Sequence, residues 1–307
     1  MLKDRVTVIL STYNGEKYLA EQLDSILSQE DVDVTLLIRD DGSRDSTLSI
    51  LRDFASRHDN VQWIAGDNRG VAGSFLTALK QADSSSDYYG FCDQDDVWEP
   101  RKLANAVQAL RAEGDNDLPM LYCSKLEIVD ESLRHIGFTK RLFRDIGFKN
   151  ALFQNIVYGC TGVMNRSARD LVISTESVRE ILMHDWWCYL AVSAFGRVIF
   201  DDRSAIKYRQ HGNNQVGART TILGRIRMRY ERTFRGLNGR FPSEQNSLFL
   251  AHYGQRLSGD KRRFMELTLG AKRSLRRRIE LASSSEIVMQ NRLDNVLTRV
   301  GILFNRF

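Results

Sequence analysis

The chain has 307 residues, 42% of them hydrophobic and three of them proline, which suits one large α/β domain with a smaller appendage and leaves room for a buried site. The net charge of +5 is uneven, with 25 Lys and Arg against 32 Asp and Glu in residues 1–217, and 19 against 7 in residues 218–307, so the basic character belongs to the tail. Cys92, Cys123, Cys160 and Cys188 lie far apart with no CxxC pair and no zinc-like histidine spacing, which argues against a disulfide framework or structural zinc. Nor does the start carry the apolar stretch of a signal peptide, or any window the roughly 18 apolar residues of a spanning helix, so a soluble or surface-associated cytoplasmic protein is expected.

Val6–Leu10 is a short β-branched run, followed by the turn-prone Ser11-Thr12-Tyr13-Asn14-Gly15 and a helical pattern through Leu19, Leu23, Ile26 and Leu27. The order repeats with Val34–Ile38, the loop Asp40-Asp41-Gly42-Ser43, and a helix through Leu48, Leu51 and Phe54. Val61–Ile64 reads as a third strand, Ser74–Ala82 as its helix, and Tyr88–Cys92 as a fourth strand ending in Asp93-Gln94-Asp95-Asp96. Apolar strands separated by amphipathic helices predict a parallel sheet covered on both faces, with ligands at the carboxyl ends of its strands. All three polar loops fall on that rim. Further along, the pattern predicts a helix at 102–113, strands at 121–123 and 126–129, a mixed stretch to Gly159, a helix from about Asp185 to Phe195, and strands at 198–200 and 205–208. Arg- and Leu-rich helical sequence follows from about Thr220, with a domain boundary near Gly217.

The acidic cluster is the sharpest feature. In an extended segment Asp93 and Asp95 point to the same side and can converge on one hard divalent cation, Mg²⁺ or Mn²⁺. Such an ion could bridge two phosphate oxygens of a nucleoside diphosphate; the plain alternative is a solvated turn capping the next helix, for which Pro100 suits the start. Gly42 is free to take positive φ in the second loop, and Asp45-Ser46 can cap the following helix. A carboxylate at that strand end can accept the imide N–H of uracil or thymine, and Tyr13 can stack on the base, although a lone DDGS is often only a tight turn.

Together these residues resemble the family 2 glycosyltransferases of GT-A fold. The likeness runs from residue 5 to about 215 through Val8–Asn14, Asp40–Asp45, Asn68-Arg69-Gly70, Asp93–Asp96 and His184-Asp185-Trp186-Trp187. It implies a GT-A, Rossmann-like, mostly parallel sheet over residues 1–217 and a basic helical region over 218–307. It implies that Ser11, Tyr13, Asp41 and Asp93 hold the donor nucleotide, that Asp93 and Asp95 form the DXD metal site, and that Asp185 is the catalytic base. Asp96 would assist the metal or donor sugar. His211 would close over the diphosphate or ligate the metal, with Arg209 as a charge partner. Trp186 and Trp187 would stack on acceptor sugars unless they are core, and the Gly159–Gly162 turn would let backbone approach the sugar at Gly162. His184 departs from the acidic residue frequent at that position, and the absence of QxxRW implies single addition. Phe91–Trp98 with Tyr208–Asn214 resembles the branch containing rhamnosyltransferases of polysaccharide assembly, which implies a dTDP- or UDP-linked donor, dTDP-rhamnose first, and a saccharide or polyprenyl-diphosphate-linked acceptor.

A sugar nucleotidyltransferase would need a Gly-rich phosphate loop with a basic partner, which Ser11–Gly15 lacks. A non-catalytic binding module is disfavoured by the intact Asp93, Asp95 and Asp185. The basic tail reads either as a solvated face or as a platform for an anionic membrane at the inner face of the cytoplasmic membrane. No nucleic-acid motif accompanies the charge, and packing between two tails could form a homodimer.

Overall fold

The computed structural model describes residues 3–115, 117–142, 144, 146–175, 177–212, 231, 234–237 and 239–307. The expected boundary near Gly217, Asn213, Asn214 and the start of the basic segment at Thr220 lie outside the described residues.

The first half alternates strand and helix as the apolar periodicity predicts: β1 (Asp4–Thr12), α1 (Leu19–Leu27), β2 (Val32–Asp40), α2 (Thr47–Arg57), β3 (Val61–Ala65), α3 (Gly70–Gln81) and β4 (Tyr88–Cys92). Then come β5 (Val97–Trp98), α4 (Lys102–Arg111), β6 (Met120–Val129), β7 (His135–Phe138), α5 (Phe148–Ala151), β8 (Val163–Asn165), α6 (Arg166–Ile173), α7 (His184–Phe195) and β9 (Arg197–Arg209). The C-terminal region is helical, with α8 (Pro242–Tyr253), α9 (Gly259–Ala271), α10 (Leu275–Ser283) and α11 (Arg292–Leu303).

The strands form one nine-stranded sheet in the order β3-β2-β1-β4-β8-β6-β9-β5, with β7 paired to β6. β3, β2, β1 and β4 are parallel neighbours, and β8 runs antiparallel to both β4 and β6. The two reversals give β6, and with it the parallel β9, the direction of β4. The carboxyl end of β9 therefore reaches the same rim as those of β1, β2 and β4, while β8 brings its amino end there. This topology assembles the site.

Two expected pairs of short strands are single long ones, β6 and β9. They pair through register shifts at Ser124, Lys125 and Glu127, and such bulges let a strand run on through a polar interruption. Val97-Trp98 leads into α4 as expected and also adds an edge strand to β9.

Helices cover both faces. α1, α2 and α4 bury Leu19, Leu23, Leu51, Phe54, Leu103 and Leu110 against one. On the other, α3, α5, α6 and α7 share an apolar cluster with the C-terminal helices, whose Phe249, Tyr253, Phe264 and Ile302 pack with Phe148, Trp187 and Tyr189. The Trp187 ring meets Phe249 edge-on at 5.6 Å, so the basic helical region completes the core of the sheet domain. No helix among the described residues is long and apolar enough to cross a membrane.

Candidate active site

At the rim, β1 and β2 end in register, Ser11 beside Arg39 and Thr12 beside Asp40, and Leu10 lies beside Cys92 of β4. The three loops that follow are stitched together. Gln94 Oε1 accepts from Thr12 Oγ1 at 2.7 Å and from the Tyr13 N–H at 2.9 Å, and Asn14 N–H donates to Ser43 Oγ at 2.8 Å. Gly15 closely approaches this network, since a Cβ on it would lie 2.5 Å from Gln94 Oε1 and displace that side chain. Gly42 adopts φ +90°, the positive value its turn calls for. Asp45 rather than Ser46 supplies the cap, accepting from the Thr47 N–H at 3.0 Å.

Asp41 is buried and fixed: Arg39 pairs with one oxygen, and the N–H groups of Arg69 and Gly70, where α3 starts, donate at 3.0 Å. Each oxygen already accepts two of these contacts, the Arg69 N–H being shared between both. The half-exposed Tyr13 ring stands at this mouth, and Ser11 Oγ lies 2.6 Å from Ser74 Oγ.

The segment after β4 is bent rather than extended, which corrects the expected shared side for Asp93 and Asp95. Asp93 turns with Asp96 toward the Cys160 thiol, their ligand atoms lying within 4.8 Å of one another. Asp95 goes to His211 instead, with Oδ2 2.7 Å from Nε2. The imidazole also leans on the Tyr18 ring at 5.1 Å.

Burial, together with the charges of Asp95 and Asp185, raises Asp93 to about 7. Burial and the neighbouring Asp95 and Asp93 push Asp96 well above the carboxylate range. Its Oδ1 accepts from the Arg209 N–H at 3.2 Å, and Oδ2 has no hydrogen-bond partner. Crowded carboxylates, one buried oxygen without a partner and an adjacent imidazole fit a hard or borderline divalent ion such as Mg²⁺ or Mn²⁺. The thiol of Cys160 suits such an ion poorly; burial holds it protonated, pushing it well above the usual thiol value.

Asp185 lies in the first turn of α7, after Met183 at the cap position, so it is not itself the N-cap. The residue is only 6% accessible, because α7 enters the core. Burial raises it to about 6, against hydrogen bonds from the Trp186 and Gly159 N–H groups and the Asn155 side chain. Its charge reaches Asp93, so base candidate and acidic cluster share one site.

Trp186 and Trp187 are both core side chains, which corrects the expected sugar stacking. Their indole N–H groups donate to the carbonyls of Ala151 and Val172, and neither ring offers a free face. Arg209 is likewise buried as a clamp: Nε donates to the Asp95 carbonyl at 2.9 Å, Nη1 to that of Glu131 at 2.6 Å, Nη2 pairs with Glu21, and the guanidinium covers Tyr18 at 4.5 Å. Gly162 sits at the amino end of β8, its carbonyl accepting from the Phe91 N–H at 3.1 Å. A Cβ there would meet the Gly159 carbonyl oxygen at 3.2 Å.

His184 is a buried neutral imidazole stacked on Phe75 at 3.9 Å, and burial lowers it to about 3. Gly159 closes over it, leaving 2.8 Å between a Cβ and Nε2. Gln94, Asn155 and Lys102 were not expected at the site. Lys102 is buried with its ammonium 3.6 Å from the Trp98 ring, and burial lowers it to about 8. A lysine at the first helical position after a proline carries no sequence signal of burial. Arg39, a charge inside an apolar strand, does.

This sheet, with its acidic rim and facing carboxylate, defines a glycosyltransferase of GT-A fold. The Glycosyl transferase family 2 model matches residues 7–171, and the chain belongs to that family. The "dTDP-rhamnosyl transferase RfbG" of Shigella flexneri is 29% identical over 248 residues, covering 73% of this chain and 81% of that protein. Among solved structures, S. aureus TarS 1-349 with UDP-GlcNAc aligns with a TM-score of 0.58 at 16% identity, over 98% of this chain and 89% of that one. The mannosyltransferase PcManGT from Pyrobaculum calidifontis with GDP-Man and Mn²⁺ aligns at 0.53 and 18% identity, over 100% and 89%.

Proposed function

We propose that the protein is an inverting, metal-dependent glycosyltransferase that adds one sugar, L-rhamnose from dTDP-rhamnose, to a saccharide or polyprenyl-diphosphate-linked saccharide in cell-surface polysaccharide synthesis. The observation that carries this reading is the acidic rim, where Asp93 meets Asp96, Asp95 pairs with His211, and the charge of Asp185 reaches Asp93. In it, Asp41 accepts the imide N–H of the thymine, Tyr13 stacks on the ring, and Ser11 and Asp93 hold the nucleoside. Asp95, Asp93 and His211 would hold the Mg²⁺ or Mn²⁺, with Asp96 behind them, and when bound it would supply positive charge against that of the departing diphosphate.

Asp185 takes the proton of the acceptor hydroxyl as its oxygen bonds to the anomeric carbon, and the bond to the diphosphate breaks on the opposite face. A base raised to about 6 is ionised at neutral pH yet basic enough to share a proton in the transition state. The buried surroundings keep water from competing for the sugar. Support for the donor comes from the RfbG relative. Metal dependence is supported by the Asp95–His211 contact and by the neighbour whose structure holds Mn²⁺. The chain divides at about residue 217 into a catalytic sheet domain and a basic helical region, and the two share one core.

The test is release of nucleoside diphosphate from a panel of dTDP- and UDP-sugars with Mn²⁺, with Mg²⁺ and with chelator. Turnover of dTDP-rhamnose that vanishes with chelator is expected. Turnover unaffected by chelator rejects the metal role, and preference for another sugar rejects the rhamnosyl assignment.

A further inference from the structure

The helices α10 and α11 carry apolar residues on two sides. Leu281, Gly301 and Ile302 face the core, yet Leu275 and Ile279, one turn apart on α10, Val296 and Leu303 on α11 and Phe304 just after it are exposed. Phe304 is 69% accessible, Leu275 59% and Val296 56%. At 3.6 residues per turn Leu293, Val296 and Leu303 fall within an arc of about 80°, roughly opposite Ile302. The two helices are locked together, Arg278 Nη1 donating to the Leu303 carbonyl at 3.1 Å. Leu303 thereby sits beside Arg278 of α10, and Arg299 Nη1 joins α11 to the Ala282 carbonyl at the other end of α10. Scattered exposed leucines need no explanation, but a second stripe on each of two adjoining helices does.

Charge decides what covers it. Residues 272–307 hold eight Lys and Arg against Glu280, Glu286 and Asp294, and Glu286 is already paired with Lys149. Arg273 and Arg276 are exposed at the start of α10 beside the apolar stripe, and Arg292 borders the stripe of α11. A second copy of the chain would press these like charges together across a symmetric contact. An anionic bilayer instead takes the apolar side chains into its acyl boundary and the guanidinium groups among its phosphates.

We propose that the α10–α11 hairpin is a membrane-docking surface for anionic phospholipid. The segment joining the two helices lies against α5, where Asn150 Nδ2 donates to the Val288 carbonyl at 2.7 Å and the Gln290 N–H donates to Gln154 Oε1 at 2.9 Å. Gln154 adjoins Asn155, which hydrogen-bonds Asp185. Docking through the hairpin thus brings the acceptor side of the site toward the bilayer. That consequence rests on the glycosyl-transfer reading; the docking itself does not.

The experiment is flotation of the full chain with phosphatidylcholine vesicles with and without phosphatidylglycerol, at low and high salt, alongside sedimentation without vesicles. The full chain is expected to float only with the anionic vesicles. Arg273→Glu/Arg276→Glu should lower the bound-to-free ratio by roughly fivefold or more per position, and Ile279→Asp/Phe304→Asp by at least about tenfold. Both variants should keep wild-type donor turnover on a water-soluble acceptor, which shows that they fold. A chain that stays at the bottom at low salt, variants that float like wild type, or a dimer in solution abolished by Phe304→Asp without any flotation each overturn the proposal. A chain that floats but transfers no sugar keeps the docking surface and rejects the transferase reading instead.

Discussion

Replacing Asp185 by Asn separates catalysis from stability, because the carboxylate is buried against its own charge. Burial lifts it from 3.8 to about 6, which at ~1.4 kcal/mol per tenfold in proton affinity makes its ionised form cost about 3 kcal/mol of folding stability at neutral pH. Asn carries no charge but has one acceptor fewer for the Trp186, Gly159 and Asn155 donors, a loss of about 1 kcal/mol. The net gain is about 2 kcal/mol, or about 3 °C in Tm, taking ~2.1 cal/mol/K of unfolding entropy per residue. The sign depends on pH. Below about 4 the carboxyl is neutral in both the folded and the unfolded chain, and Asn is slightly the less stable. As pH rises from about 4 to about 6, between the unfolded and folded values, the unfolded chain gives up the proton first, so the wild type loses stability and Asn overtakes it. Removal of the base should meanwhile lower turnover by about 10²–10⁴-fold with donor binding kept. Thermal unfolding of both proteins from pH 4 to 8, with nucleoside diphosphate release as the rate assay, tests the pair of effects. A Tm difference that does not vary with pH, or turnover within tenfold of wild type, refutes the reasoning.

Four further outcomes are expected. Wild-type kcat/KM on a soluble acceptor should fall tenfold per pH unit below about pH 6 as Asp185 protonates, and a flat profile down to pH 5 removes it as the base. His211→Ala should raise the Mn²⁺ concentration needed for half-maximal turnover by about 10–100-fold, while Tm stays within a few degrees of wild type; an unchanged metal titration refutes its ligand role. Gly15→Ala, whose Cβ would meet Gln94 Oε1 at 2.5 Å and Thr12 Oγ1 at 2.8 Å, should loosen the rim loops and weaken dTDP binding by calorimetry, with Gln94→Ala in the same chain restoring part of it. Arg209→Met should cost about 3 kcal/mol in denaturant unfolding, because it leaves the Asp95 and Glu131 carbonyls without their guanidinium donors; a cost below about 1 kcal/mol shows the clamp to be dispensable.

The strands β1 to β4 and their helices were legible from sequence because each apolar run buries one local stripe, and that periodicity is written in neighbouring residues. The same holds for the placement of Ser11, Tyr13, Asp41 and the acidic cluster on one edge, which follows from parallel strands ending in polar loops. Two indoles at 186 and 187 read equally well as a sugar platform or as core. Only the position of α7 between the sheet and α8 makes them core. The pairing of Asp95 with His211 joins residues more than a hundred positions apart, and it exists because β8 reverses direction twice removed from β9, returning that strand to the rim. Local sequence determined which side chains could do chemistry here. Tertiary structure decided which of them meet, and how far burial shifts their proton affinities, since both depend on neighbours that the chain brings from a distance.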